Sequence, residues 1–392
     1  MAEPHFRVLV LNQIAPAGLR RLPHELYTVG KDLADPDAIL VRSADMHTVD
    51  VPAGVKAIAR AGAGTNNIPV AAMSARGVPV FNAPGANANA VKELVLAGML
   101  MAARNLPGAL RFVAALDSGD ETDSRVEEGK KAFAGFELAG HTLGVVGLGR
   151  IGCLVADAAI KLGMNVLGYD PDITVDAAWS LPASVRRATS VAEVLKASHF
   201  ITLHVPLVAA TKHLVNADNI ALTRAGAVLL NFSREGVADN AAVLASLERR
   251  HLGWYVCDFP HAVLNGQERV LALPHLGAST REAEENCAVM VADQLRDYLE
   301  HGNVARAVNF PEVTMARESR WRIAIANANV PNMLGQISTA MAQAGLNIHN
   351  MVNKSRGEMA YTLVDVDSAV DAAVLQTLAA IDGVLAVRYL PA

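Results

Sequence analysis

The stretch that decides the fold is HTLGVVGLGRIG, residues 141–152. Its first half is apolar and predicts a buried strand, and Gly147, Gly149 and Gly152 follow in the spacing GxGxxG. In a strand–turn–helix unit the first glycine permits a tight turn, and the second lets the backbone approach a pyrophosphate. The third glycine lets the helix pack closely on the strand. The spacing therefore predicts a dinucleotide site at the beginning of a helix.

An acidic residue at the end of the next strand supports this interpretation. Asp170 closes the stretch MNVLGYD, about 20 residues after the glycines, where a carboxylate accepts hydrogen bonds from the adenosine ribose. No arginine or lysine occurs in PDITVDAA immediately after it, so a ribose 2′-phosphate would meet an uncompensated carboxylate. We therefore expect NAD rather than NADP as the cofactor.

Short apolar strands alternate with helical stretches over most of the chain. This rhythm predicts an α/β fold with two Rossmann-like domains, each a doubly wound parallel sheet. Near the C-terminus the order becomes βαββαβ, that of a small ferredoxin-like module. We expect a discontinuous substrate-binding domain (1–90 and 288–312), a nucleotide-binding domain (91–287) and a C-terminal regulatory module (320–392).

Composition narrows the class of protein. The chain has 392 residues, of which 52% are hydrophobic and 19% charged, a balance typical of large buried cores. A net charge of −5 gives no reason to expect nucleic acid or an anionic membrane as partner. No apolar run reaches the roughly 18 residues of a membrane span, and the N-terminus shows no signal peptide. Three widely spaced cysteines favour a reducing, cytoplasmic location and no metal site.

Six stretches carry a resemblance to a known enzyme family: ARAGAGTNNI, VPVFNAPGANANAVKELVL, GVVGLGRIG, FITLHVPL, LLNFSREGVADNAAV and LPHLGASTREAEENCA. Over essentially its whole length the chain resembles the D-isomer-specific 2-hydroxyacid dehydrogenases, and most of all those members that act on D-3-phosphoglycerate. The C-terminal module resembles an ACT domain. The resemblance implies NAD-dependent oxidation of D-3-phosphoglycerate to 3-phosphohydroxypyruvate, the first step of serine biosynthesis by the phosphorylated route.

The resemblance also implies a catalytic pair. Arg234 in NFSREG would hold the substrate carboxylate, as a planar guanidinium does well, and His275 in LPHLGAST would exchange the C2 hydroxyl proton. In the family a glutamate pairs with this histidine, but here its position falls at Ala262 or Val263. Three alternatives stay open: Glu268 reaches the imidazole from its loop, another residue orients it, or it works without a carboxylate.

Two further sets of residues follow from the resemblance. The cofactor-binding positions, of which the last is expected near the nicotinamide carboxamide, are Gly147, Gly149, Arg150, Ile151, Gly152, Asp170, Val205, Pro206, Thr211, Phe232 and Asp258. The substrate-binding positions are Arg42, Arg60, Gly62, Ala63 and Asn87. The two arginines match positions that face the substrate phosphate, and they end consecutive strands, so they are expected to point into one crevice. Gly62 and Ala63 would offer backbone N–H groups to the carboxylate.

The C-terminal module is expected to regulate or to assemble. Asn329 and Asn347 match asparagines that bind serine in feedback-inhibited relatives. Asn327 replaces a histidine, however, and Asn332 replaces the glycine usual after the proline. Two readings therefore stay open, an L-serine effector site and a purely oligomerising module. A homo-oligomer, either a dimer or a tetramer, is implied in both.

Two other functions compete with phosphoglycerate oxidation. A hydroxypyruvate or glycerate dehydrogenase would share the chemistry without needing the pair Arg42 and Arg60. A non-catalytic, NAD-sensing corepressor would account for the missing glutamate. The presence of Arg234 and His275 favours an enzyme, and the two N-terminal arginines favour a phosphorylated substrate.

Overall fold

A computed structural model describes residues 5–116 and 122–391. Its internal contacts divide the chain into two compact units, one formed by the residues up to Asn87 and from Arg281 onward, the other by Ala88–Thr280. The second boundary between the units falls at Arg281, because a continuous helix, Arg281–His301, begins at this residue. Residues 281–287, which were expected in the nucleotide-binding domain, therefore belong to the first unit. Within the described ranges, no helix is long and apolar enough to cross a membrane.

The N-terminal part of the first unit is a parallel sheet of five strands. Its elements are β1 (Phe6–Leu11), α1 (Pro16–Leu19), β2 (Tyr27–Gly30), β3 (Ala38–Val41), β4 (Ala57–Arg60), α2 (Val70–Ala75) and β5 (Val80–Phe81). The strand order is β2-β1-β3-β4-β5. All four residues of β3 are buried, as expected where helices cover both faces of a parallel sheet. Val41 pairs with Arg60, so the carboxyl ends of β3 and β4 are neighbours.

The second unit contains a sheet of seven strands in the order β12-β11-β10-β9-β6-β7-β8. Its elements are α3 (Ala88–Ala103), α4 (Leu106–Ala114), α5 (Thr122–Gly129), β6 (Thr142–Val146), α6 (Arg150–Lys161), β7 (Asn165–Tyr169), α7 (Val175–Ser180), β8 (Arg186–Arg187), α8 (Val191–Ala197), β9 (Phe200–Leu203), β10 (Ala227–Asn231), α9 (Asn240–Glu248), β11 (Leu252–Cys257) and β12 (Val270–Ala272). The strand order reverses at β6, and ligands of such sheets bind at the carboxyl ends beside this reversal.

The C-terminal module follows α10 (Arg281–His301). Its elements are β13 (Trp321–Ala328), α11 (Met333–Gln343), β14 (Ile348–Arg356), β15 (Met359–Val366), α12 (Ala372–Ala379) and β16 (Val384–Pro391). The four strands form an antiparallel sheet in the order β14-β15-β13-β16. The predicted order βαββαβ is thus confirmed, as is the α/β class with two parallel-sheet, Rossmann-like regions.

One buried arginine ties the module to the rest of the first unit. Arg322 and Asp365 are both fully buried, and Nε and Nη2 of Arg322 lie 2.6 and 2.9 Å from the two carboxylate oxygens. Its other N–H groups donate to the backbone carbonyls of His301, Met315 and Ala316. All five donors of a guanidinium are therefore used. Burial raises the pKa of Asp365, but the Arg322 hydrogen bonds, the N–H of Glu318 and the charges of Arg322 and Arg317 together hold this pKa below its ordinary value.

Candidate active site

The glycine loop after β6 has the geometry of a dinucleotide cradle. Gly147 has φ +92°, and a Cβ there would lie 2.5 Å from the carbonyl oxygen of His204. A Cβ on Gly152 would lie 2.0 Å from the carbonyl oxygen of Gly147. Gly149, by contrast, has open space in front of it. The loop thus excludes side chains at two positions and exposes backbone at the third, at the beginning of α6, where N–H groups attract a phosphate.

Asp170 stands at the carboxyl end of β7, next to this loop. One of its carboxylate oxygens accepts the N–H of Leu148 at 2.8 Å, and the other accepts the N–H of Asp172 at 3.0 Å. The side chain therefore both fixes the glycine loop and presents a half-buried carboxylate beside it. These residues fit an adenosine dinucleotide with free ribose hydroxyls.

The other predicted cofactor positions lie near the carboxyl ends of the same sheet. Arg150 and Ile151 open α6, and Val205 lies beside Gly147, with its Cγ1 3.0 Å from the Cβ that Gly147 lacks. Thr211 shapes the loop after β9, since its hydroxyl donates to the Pro206 carbonyl and accepts the Val208 N–H. The ring of Phe232 is different, because it is buried in the core against α3. Only its backbone is left as a candidate for lining the cofactor.

Arg234 is presented by a turn that an asparagine builds. Asn231, fully buried at the end of β10, accepts the N–H and the hydroxyl of Ser233 at 3.2 and 2.8 Å. It donates to the carbonyl of Arg234 at 2.9 Å. The exposed guanidinium contacts the Ser233 carbonyl at 2.6 Å. Sequence reasoning missed Asn231, although a polar residue closing an apolar strand is a usable signal.

His275 follows β12 in a backbone conformation that side chains rarely adopt, with φ +57°. Such strain costs on the order of 1–3 kcal/mol and persists where neighbouring contacts impose it. Here they come from Asp258, which is buried and accepts the N–H groups of Leu276 and Gly277, both at 2.7 Å. Burial raises the pKa of Asp258, while these two N–H groups and the charge of His275 lower it, leaving it above its ordinary value. Its role near the nicotinamide stays a prediction.

The structure distinguishes among the three alternatives for the partner of His275. The Glu268 side chain is 87% exposed and pairs with Arg269 at 3.8 Å. The imidazole instead packs against Phe259, with ring centroids 5.0 Å apart at 63°. Among the residues that the structure describes, no side chain hydrogen-bonds this imidazole. In this conformation His275 is oriented by an aromatic ring and not by a carboxylate.

The predicted phosphate-binding arginines meet in the first unit. Arg60 Nε donates to the carbonyl of Arg42 at 3.1 Å, so the Arg60 side chain lies against the backbone of Arg42, just after β3. The guanidinium of Arg42 pairs with Glu284 of α10 at 2.6 Å. A substrate phosphate in this place would therefore meet two cations and one carboxylate.

The backbone donors expected beside these arginines are not equivalent. The N–H of Gly62 donates to the Arg60 carbonyl at 2.8 Å, so a tight turn already uses it. Ala63 keeps its N–H free of acceptors within the described part of the chain, while its carbonyl accepts from Asn82 at 2.5 Å. Asn87, the last residue of the first unit on this side, is half-buried. The Gly62 N–H is thus engaged within the chain and the Ala63 N–H is not, and the role of both residues at the substrate stays a prediction.

The two asparagines predicted to bind an effector lie apart within one chain. Asn329 follows β13 and lines a cavity of about 190 Å³ together with Asn327, Asn332 and Asn353. Asn347 precedes β14; its carbonyl accepts the N–H of Asp367 at 3.1 Å and its own N–H donates to the Asp367 carboxylate at 3.3 Å, whereas Asn353 lies in the second half of β14. A single module therefore does not bring Asn329 and Asn347 to one ligand.

Comparisons with known proteins agree with the geometry of the second unit. Residues 96–277 match the family described as D-isomer specific 2-hydroxyacid dehydrogenase, NAD binding domain. D-3-phosphoglycerate dehydrogenase of Methanocaldococcus jannaschii is 34% identical over 85% of this chain, which spans 62% of that relative. The Escherichia coli enzyme of the same name is 32% identical over 83% of this chain and is itself spanned to 79%. The crystal structure of NAD+-bound 3-phosphoglycerate dehydrogenase from Entamoeba histolytica superimposes with TM-score 0.60 at 26% identity, covering 78% of this chain and 98% of that one.

Proposed function

We propose a specific activity for this chain, which belongs to the D-isomer-specific 2-hydroxyacid dehydrogenase family: the NAD-dependent oxidation of D-3-phosphoglycerate to 3-phosphohydroxypyruvate, which begins serine synthesis by the phosphorylated route. The observation that carries this proposal is the placement of Arg234 and His275. Both follow strands of the sheet that holds the glycine loop, and only β11 separates those strands, β10 and β12. An exposed guanidinium and an exposed imidazole are the two groups that oxidation of a 2-hydroxy acid requires.

The two side chains have separate tasks. The guanidinium of Arg234 binds the substrate carboxylate and polarises the C2 oxygen, which it does at any pH because it stays charged. The free imidazole nitrogen of His275 accepts the C2 hydroxyl proton, a role typically worth about 10² to 10⁴ in rate. NAD, when bound, takes up the hydride that leaves C2. The loop at Gly149 and the carboxylate of Asp170 would hold the pyrophosphate and the adenosine ribose.

The phosphate of the substrate is assigned to the first unit. Arg42 and Arg60 together supply two guanidinium groups, and a phosphate dianion is well matched by such charge-assisted, bidentate donors. The free N–H of Ala63 offers a donor for the carboxylate. A substrate without phosphate gains nothing from the two arginines, so the pair favours phosphoglycerate over glycerate or lactate.

Steady-state NADH formation with D-3-phosphoglycerate, D-glycerate and D-lactate tests this proposal. We expect turnover of the phosphorylated acid, and loss of at least 100-fold in kcat for His275→Gln and in kcat/KM for Arg234→Gln. Efficient turnover of glycerate or lactate would replace the proposal by a dehydrogenase for short 2-hydroxy acids. NAD binding without any turnover would point to a sensor.

We further propose that the chain forms a homo-oligomer through α4. Leu106, Leu110 and Val113 are 40%, 68% and 57% exposed and recur at helical spacing on one face, while α4 buries none of its residues. A second copy of the chain is the occupant that fits, because the family is expected to pair through this unit. Leu110→Glu together with Val113→Glu should shift the mass measured by light scattering to that of the monomer, while Leu162→Glu, which also removes an exposed leucine, should not.

An L-serine effector at the C-terminal module, in the manner of an ACT domain, completes the proposal. Its support is the cavity lined by Asn329, and Asn347 would have to come from a second copy. Inhibition by millimolar serine that Asn329→Ala abolishes would support it, and binding without inhibition would leave only assembly for the module. A reducing, cytoplasmic location is proposed because all three cysteines are free and buried.

A further inference from the structure

The first turn of α10 places a carboxylate on the predicted phosphate site. Glu284 Oε1 accepts from Nη2 of Arg42 at 2.6 Å, with the two side chains 38% and 36% exposed. The residues are 242 positions apart in the chain, so the fold alone brings them together. A carboxylate is favoured in the first turn of a helix by the helix dipole, which helps to hold Glu284 in this position.

Other polar and charged groups lie close to the pair of Arg42 and Glu284. The Arg60 side chain is fixed by its hydrogen bond to the Arg42 carbonyl. Its guanidinium lies beside Gly62, where a Cβ would come within 2.5 Å of Nη1, so a side chain at position 62 would clash with it. Cys287, one helical turn after Glu284, is buried. Burial raises its pKa, Arg60 and Arg42 lower it, and Glu284 raises it further. The Glu284 carboxylate thus offsets positive charge at this place when no substrate is bound.

We propose that Glu284 competes with the substrate phosphate: it pairs with Arg42 until a phosphate displaces it, and it thereby limits the affinity of the protein for phosphorylated acids. The inference rests on the proposed function, because it takes Arg42 and Arg60 as the phosphate site. A phosphate monoester carries a charge near −1.5 to −2 at neutral pH against −1 for Glu284, so it wins the competition. An uncharged hydroxyl group does not.

The expected change in phosphate affinity follows from how far the side chains of Arg42 and Glu284 are exposed to water. Water screens an ion pair whose members are each more than a third exposed, so breaking it costs little. The same carboxylate also repels a dianion bound to the neighbouring guanidinium groups. Together the two effects predict that removing the charge of Glu284 strengthens phosphate binding about 3- to 10-fold. The binding of D-glycerate, which leaves the pair intact, should not change.

The experiment compares the wild-type protein with Glu284→Gln and with Glu285→Gln as the matched control. Gln keeps the length and helix propensity of Glu, and residue 285 loses the same charge about 100° further round α10. For each protein we would measure kcat and KM for D-3-phosphoglycerate and D-glycerate at saturating NAD. Calorimetry would give the Kd of inorganic phosphate, and thermal unfolding would verify folding, with Glu284→Ala as a second variant.

We expect Glu284→Gln to lower the KM for D-3-phosphoglycerate and the Kd of phosphate 3- to 10-fold, with kcat and the glycerate KM unchanged and Glu285→Gln within twofold of wild type. An unchanged or raised phosphate Kd in both residue 284 variants would overturn the inference, as would an equal gain in Glu285→Gln. A wild-type protein that binds phosphate but does not turn over phosphoglycerate would count against the proposed function alone, and the phosphate Kd values would still decide the role of Glu284.

Discussion

At the scale of single residues, the orientation of His275 depends on Phe259. The Phe259 ring lies 5.0 Å from the imidazole, centroid to centroid, within the described residues no side chain hydrogen-bonds this imidazole, and the backbone of His275 is already strained. We expect Phe259→Ala to lower kcat about tenfold, because a misplaced general base loses rate steeply with small displacements. The KM for NAD should stay within twofold, and steady-state kinetics gives both values.

The matched variant for this prediction is Phe259→Tyr, which keeps the ring. It should retain most of the wild-type kcat, whereas Phe259→Leu, which keeps apolar volume without a planar ring, should fall between Tyr and Ala. If all three variants lose the same activity in parallel with their melting temperatures, Phe259 acts only on stability and the prediction is wrong.

Candidates for the chemically active residues could be named from the sequence, but their contacts could not be predicted from it. Arg234 and His275 are recognisable because the residues around them follow apolar strands in a family pattern. The pair of Arg42 with Glu284 joins residues 242 positions apart, and the N–H of Gly62 is used by a turn of three residues. Neither contact leaves a periodicity or a spacing in the sequence, since each depends on how side chains and turns settle in the folded chain.

At the scale of elements, the turn after β10 is the device that presents Arg234. Asn231 both accepts from Ser233 and donates to the Arg234 carbonyl. Asn231→Asp keeps the acceptor and loses the donor, so we expect kcat/KM to fall at least tenfold, with a loss of about 1–3 kcal/mol in the free energy of unfolding. Kinetics and urea unfolding measure the two effects.

Ser233→Ala provides the comparison, because it removes one hydroxyl and leaves the other side-chain hydrogen bonds of Asn231, from the Ser233 N–H and to the Arg234 carbonyl and the Tyr255 hydroxyl. Its loss in kcat/KM should be clearly smaller than that of Asn231→Asp. Equal losses would mean that the hydroxyl, and not the amide donor, controls the turn.

Most elements were predictable because each has the sequence pattern of a single type of secondary structure. The strands β6, β7 and β9 are short apolar runs followed directly by Gly147, Asp170 and His204, and β10 is a similar run that closes with Asn231; α3 and α10 are long helical patterns. The boundary between the two units at Arg281 was harder to predict from the sequence. A helix packs as one rigid body, so the whole of α10 belongs to the first unit and the boundary between the units falls at its first residue. Similarity to the family does not mark that residue in the sequence.

At the scale of the whole molecule, the buried Arg322 links the C-terminal module to α10: it pairs with Asp365 inside the module and donates to the carbonyl of His301, the last residue of α10. Removing one member of such a pair leaves an uncompensated charge, which typically costs about 3–5 kcal/mol. We expect Arg322→Met to lose about this much in the free energy of unfolding, and the double variant Arg322→Met with Asp365→Leu to recover part of it. The recovery is partial because the carbonyls of His301, Met315 and Ala316 lose their donor.

The same pair predicts how stability depends on pH. Because the pKa of Asp365 in the folded protein lies below its ordinary value, the unfolded chain binds this proton more readily than the folded one. The contribution of the pair is therefore complete above the ordinary pKa of an aspartate and is lost as the pH falls through the lowered, folded value. The difference in the free energy of unfolding between the wild type and the double variant, measured in urea, should therefore become smaller as the pH falls below about 4. A difference between the two proteins that stays constant from pH 7 into this acid range would show that Asp365 does not titrate with unfolding, and the attachment of the module would then rest on its hydrogen bonds to backbone carbonyls.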